Sequence, residues 1–175
     1  MYLSIDQSTS SSTVFLYSKN LKLISKFSKP HKQIQKSLGF VEHDANEIIN
    51  NIYFLVRKIS KKIKFEKDLF LSITNQRETF VIFDKNSGKP LHNAIVWQCR
   101  RGQKVCEEIN KSIKNKKLIK KKTGLTLDTY FPASKLIELL NSNIKIKDKL
   151  KNGSALFGTI DTYLIYQLTD KKIYS

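Results

Sequence analysis

The order in which hydrophobic periodicity changes along the chain constrains the fold most. Two β-prone runs, Tyr2-Leu3-Ser4-Ile5 and Thr13-Val14-Phe15-Leu16-Tyr17, flank a hydroxyl-rich turn, which predicts a hairpin. A third alternating run, Leu21 to Phe27, predicts another antiparallel strand. The period then switches. Asp44 followed by Glu47 resembles a capping box, and Ile48, Ile49, Ile52, Leu55, Val56 and Ile59 recur at helical spacing, so a helix is expected from Ala45 to Lys62.

Leu69 to Thr74 is a short apolar run of the kind that fills the buried centre of a sheet covered on both faces. Thr79 to Phe83 and Ala94 to Trp97 read as further strands, the former ended by the turn-rich Asp84 to Pro90. A single helix is expected from Arg101 to about Lys122, stopped at Thr123-Gly124. Shorter helices follow at Pro132 to Asn141, Ile146 to Lys151 and Asp161 to Leu168. Strands first and helices interleaved later predict one α/β domain over residues 1–175, with a mixed sheet and flanking helices.

The chain carries 32 basic against 15 acidic residues, a net charge of +17. Only Arg57, Arg77, Arg100 and Arg101 are arginines, however, and phosphate recognition by geometry favours arginine forks and aromatic platforms. The lysine runs at 58–64 and 116–122 are mixed with Asn and Ile, which reads as solvated faces and A/T-rich codon usage rather than a nucleic-acid footprint. Cys99 and Cys106 lack partnered histidine spacing and read as reduced, packed thiols. Met1 leads into no signal-like segment, and no run reaches the roughly 18 apolar residues of a membrane span, so a cytosolic location is expected.

Three places could carry chemistry. Asp6 ends a strand and is followed by Ser8, Thr9, Ser10, Ser11 and Ser12; turn amides and hydroxyls can surround a phosphate, and a nearby carboxylate can hold Mg²⁺ through water. A plain serine-rich turn has the same composition. Thr74 to Thr79 is a polar cluster between apolar strands, in which Arg77 supplies donors and Glu78 acceptors suited to a polyol's hydroxyls, or else an ion pair that closes the loop. Trp97 and Tyr130 could wall a carbon skeleton or sit in the core. No P-loop and no G-x-G-x-x-G motif occurs.

The segments Gly39 to Asp44, Ile73 to Thr79, Asn93 to Arg101 and Leu156 to Thr162 resemble, in order, the amino-terminal part of the FGGY carbohydrate kinases, and among them the glycerol kinases. The resemblance implies an actin-like, ribonuclease H-like ATPase domain. By that resemblance Asp6 organises Mg²⁺, Thr9, Ser10 and Ser11 face the terminal phosphates of ATP, and Arg77, Glu78 and Tyr130 bind glycerol with Trp97 beside its carbon face. The implied reaction passes the γ-phosphoryl of MgATP to a terminal hydroxyl, mainly by positioning and charge neutralisation. Another sugar or polyol kinase and a non-catalytic basic binding module are the alternatives.

The chain also departs from the family. Ser8 and Thr13 stand where glycine and arginine are usual in the phosphate loop, which predicts backbone strain at Ser8 and weaker nucleotide binding. Thr129 and Pro132 replace the usual proline and serine around Tyr130-Phe131. Family members are much longer, with a second ATPase domain that carries the catalytic Asp-Gln pair and most of the adenine site. The resemblance therefore implies an incomplete domain with an open sheet edge, inactive alone, whose full-length form is a homo-oligomer.

Overall fold

The computed structural model describes residues 1–63 and 68–174. The predicted hairpin forms from β1 (Tyr2–Gln7) and β2 (Ser11–Tyr17), and β3 extends it antiparallel. That third strand runs Leu23–Pro30, later and longer than expected, because Leu21 takes a positive φ of 56° and the register shifts at Leu16/Tyr17. After a two-residue β4 (Glu42–His43) comes α1 (Ala45–Ser60), which buries Ile48, Ile49, Ile52, Leu55 and Ile59 in one cluster with Leu3, Ile5, Val14 and Leu16. Burying five such side chains contributes on the order of 10 kcal/mol, the main force docking this helix. Asp44 caps it by accepting from the Asn46 amide at 2.8 Å, but Glu47 accepts from the Lys32 amide instead of closing a capping box.

β5 (Phe70–Asn75) pairs with β1 in parallel, giving a mixed sheet of order β3-β2-β1-β5. Here the expected buried centre is corrected: β5 is an edge, with Phe70 61% and Leu71 50% exposed. The strand buried on both faces is β6 (Phe80–Asp84), whose Val81 and Phe83 enter the α1 cluster while Phe80 and Ile82 face a second one. An edge that presents unpaired backbone and apolar side chains is a template for association.

A second sheet, fully antiparallel, was not foreseen. β7 (Ala94–Ile95) joins β4 to β6, and β8 (Ala155–Thr159), unread in the sequence, pairs along β6. The expected long helix is two: α2 (Gln103–Asn110) ends at Lys111, and the Ser112 hydroxyl starts α3 (Ile113–Thr123) by accepting from the Asn115 amide. Gly124 closes α3 at φ 73°. No residue of α3 is buried, so its lysines form a solvated face. α4 (Pro132–Ser142), α5 (Ile144–Lys151) and α6 (Ile160–Leu168) complete the second cluster and cover the first.

Gly102, at the start of α2, lies against α4 so closely that a Cβ would sit 2.6 Å from the Ser134 carbonyl carbon. Backbone cannot swing aside as a side chain can. Gly102→Ala is expected to destabilise the protein by about 1–3 kcal/mol, measured as a lower urea midpoint at unchanged slope.

Candidate functional site

The site is a cleft of about 600 Å³ where the two sheets meet, lined by Arg77, Glu78, Trp97 and Tyr130, together with residues 74–76 and Asp161. Each wall has a local cause. β5 ends at Asn75 and the chain turns, with the Thr79 amide bonded to the Gln76 carbonyl, which pushes Arg77 and Glu78 outward between two strands. Trp97 follows β7 and Tyr130 precedes the Pro132 start of α4; their rings meet edge to face at 5.8 Å. Pro132 suits a first helical position, and the Tyr130 backbone N–H donates to the Asp128 carboxylate at 2.7 Å, so the unusual flanking residues leave the tyrosine in the cleft.

Arg77 and Glu78 are not locked together. The guanidinium Nε lies 3.7 Å from the carboxylate and its side chain is 82% exposed, against 17% for Glu78. A pair so open contributes little stability, and its donors and acceptors remain available to a ligand.

Asp6, Thr9, Ser10 and Ser11 do not line that cleft; the hydroxyl-rich turn touches its wall at Trp97. The Trp97 indole N–H donates to the Thr9 hydroxyl at 3.1 Å, and Asp6 sits opposite Thr74 in the β1/β5 register. Neither the Thr9 nor the Ser10 amide has a protein acceptor among the described residues, which leaves both free to meet an anion. Ser11 begins β2 and accepts the Ser8 amide at 2.9 Å. The strain expected at Ser8 is absent: among the described residues other than glycine, only Leu21, Asp170 and Lys171 have positive φ. Ser8 instead donates its hydroxyl to Asp6 at 2.8 Å. Thr13 is buried with its hydroxyl 2.9 Å from that of Ser28, so it makes no substitute for an arginine.

No group of three or more metal-binding side chains occurs among the described residues. The half-buried Asp6 carboxylate fits Mg²⁺ of the kind that keeps its waters and is shared with substrate phosphates.

Beneath the turn lies a network the sequence did not disclose. The buried Gln76 amide donates to Gln7 at 3.0 Å and meets His43 Nδ1 at 3.3 Å, while its oxygen accepts from Thr79, whose hydroxyl accepts the Trp97 amide. His31 contacts the Thr9 carbonyl at 2.9 Å and packs edge-on against His43. Burial, followed by the neighbouring His31, drives the His43 imidazole down to about 4, so it is neutral near pH 7. Burial also lowers His31, against the opposing pull of its Thr9 bond. Neutral polar residues far apart in sequence give no motif. Asp161, held by the Thr159 hydroxyl, and the buried Lys135 were likewise missed.

Comparison with known proteins agrees with this geometry. Residues 1–175 match the N-terminal domain of the FGGY family of carbohydrate kinases. Glycerol kinase 1 of Thermotoga maritima is 42% identical over 175 residues, and the glycerol kinase of Francisella philomiragia 44% over 177 residues, each match covering 99% of this chain and 35% of the relative. The crystal structure of Plasmodium falciparum glycerol kinase with ADP superposes with a TM-score of 0.88 at 39% identity, over 97% of this chain and 34% of that one. A gluconate kinase from Lactobacillus acidophilus, 21% identical at a TM-score of 0.82, shares the fold. The chain spans about a third of the length of the curated relatives it matches. With the motif order, the mixed sheet and the cleft in agreement, the chain belongs to the FGGY carbohydrate kinases and matches their N-terminal domain.

Proposed function

We propose that this chain supplies the polyol pocket and first phosphate loop of an ATP:glycerol phosphotransferase. The observation that carries the reading is the Trp97–Thr9 bond, which joins the wall of the Arg77–Glu78 cleft to the turn with free amides. Arg77 donates to glycerol hydroxyl oxygens, Glu78 accepts their protons in hydrogen bonds, and Trp97 and Tyr130 shield the carbon chain. Thr9, Ser10 and Ser11 contact the phosphates of ATP, with Mg²⁺ held beside Asp6. Bound there, Mg²⁺ would supply neutralisation of the charge that develops on the transferred group.

The carboxylate that accepts the attacking hydroxyl's proton belongs, by family resemblance, to the part of the longer relatives that this chain does not match. Glycerol is favoured over larger sugars because the relatives named above, at 42% and 44% identity, are glycerol kinases, whereas the gluconate kinase shares only 21%. The test is a chimera in which residues 1–175 replace the matching segment of the Thermotoga enzyme. It should phosphorylate glycerol from MgATP in preference to gluconate or xylulose. A folded chimera that prefers a sugar acid or ketose would overturn the substrate assignment.

A further inference from the structure

Lys135 is fully buried, at 0% exposure, and occupies the first turn and a half of α4. That is a costly place for an ammonium, because burial strips its water and a helix amino terminus repels positive charge. Its Nζ donates to three main-chain carbonyls, of Tyr130 at 2.9 Å, Trp97 at 3.1 Å and Val96 at 3.4 Å. Three acceptors match the three protons of an ammonium. They come from two separated stretches of chain, one leaving β7 and one entering α4, and each stretch carries one aromatic wall of the cleft.

We propose that Lys135 is a positioning residue that clasps the Trp97 and Tyr130 segments together and so sets the width of the polyol cleft. This rests on the polyol reading for its ligand, but the clasp itself is a statement about two backbone segments. A hydrocarbon side chain of similar length would fill the space without desolvating a charge, yet it would leave the three carbonyls without their shared donor. With them unpaired, the Trp97 and Tyr130 main chains lose the donor they share, and the ring contact at 5.8 Å is a side-chain contact only. Burial lowers the Lys135 ammonium to about 8, with Cys99, Glu78 and Asp128 opposing the shift and Arg101 adding to it. The group is therefore mostly charged near neutrality.

Trp97 is the only tryptophan, so its emission reads this one place. In ligand-free Lys135→Met the emission maximum should move to the red and the near-ultraviolet circular dichroism of the Trp97–Tyr130 contact should fall, while the far-ultraviolet spectrum is kept. Glycerol affinity, read by the same emission, should weaken at least 10-fold. A folded Lys135→Met with unchanged aromatic spectra overturns the clasp, whether or not glycerol binds. Wild-type protein blind to glycerol, together with altered spectra in the variant, would instead defeat the polyol reading and keep the clasp.

Should Lys135→Met not fold, the wild-type side chain can be titrated directly. In a Cys99→Ala background, which removes the nearby thiol and with it part of the opposition to burial, the lysine carbon resonance of Lys135 and the Trp97 emission should titrate together below pH 8. An emission signal flat across that titration contradicts the proposal.

Discussion

Arg77→Ala in the Thermotoga chimera should lower kcat/KM for glycerol by about 100- to 1,000-fold, because it removes charge-assisted hydrogen bonds worth together roughly 3–4 kcal/mol. Stability should hardly change: the side chain is 82% exposed and its only charged partner among the described residues, Glu78, is 3.7 Å away. KM for ATP should stay within twofold of the parent chimera. That split separates loss of a polyol contact from loss of fold. Turnover at the parent level would remove Arg77 from the site.

The second large effect is on stability. Glu42 is 2% exposed and gathers Arg101 at 2.5 Å, Asn93 at 2.9 Å and Lys36 at 3.0 Å. Burial by itself would raise this carboxyl, but the bonds from Arg101, Asn93 and Lys36 outweigh it and hold it at about 2. Arg101→Leu removes the buried cation beside that charge and leaves it the Asn93 amide and the exposed Lys36, and the expected loss is about 3 kcal/mol at pH 7 in urea unfolding. The double variant with Glu42→Gln should recover part of it, since no buried charge then remains there and Lys36 is exposed to water; a purely additive double variant would deny the coupling.

The pH dependence has a definite sign. Glu42 is depressed in the folded state, so its contribution is complete above its ordinary 4.5 and lost as pH falls toward about 2. His43 is depressed as well, from 6.5 to about 4, and the unfolded chain takes up a proton that the folded protein refuses. Stability should therefore begin to fall below about pH 6.5, before the carboxylates titrate, and His43→Gln should shrink that first decline without abolishing it if the variant folds, because His31 is lowered too.

Much of this was legible in order but not in partnership. The hairpin and α1 were readable because Val14, Leu16 and the isoleucine stripe repeat with the period of their element. The same reading put Leu69 to Thr74 in the sheet centre, because apolar content does not say which strand lies beside it; pairing with β1 on one side leaves β5 at the edge. β8 escaped because Ala155, Gly158 and Thr159 are small, and its place is fixed by β6. The α2–α3 break rests on one Ser112 cap inside a lysine-rich run. At the site, Arg77, Glu78, Trp97 and Tyr130 stood out as chemistry-bearing side chains, and the structure brings them to one cleft. Gln76, His43 and Lys135 did not stand out: two are neutral near pH 7 with distant partners, and the third is one lysine in a lysine-rich chain whose burial only the packing reveals.

Trp97 emission during a glycerol titration tests the shared cleft most directly. The wild-type protein should show a saturable change that Arg77→Ala reduces to the linear solvent slope, and inorganic triphosphate with Mg²⁺ should alter the response through Thr9. A response identical in the two proteins, or indifferent to triphosphate, would mean that guanidinium, indole and hydroxyl turn do not serve one ligand site.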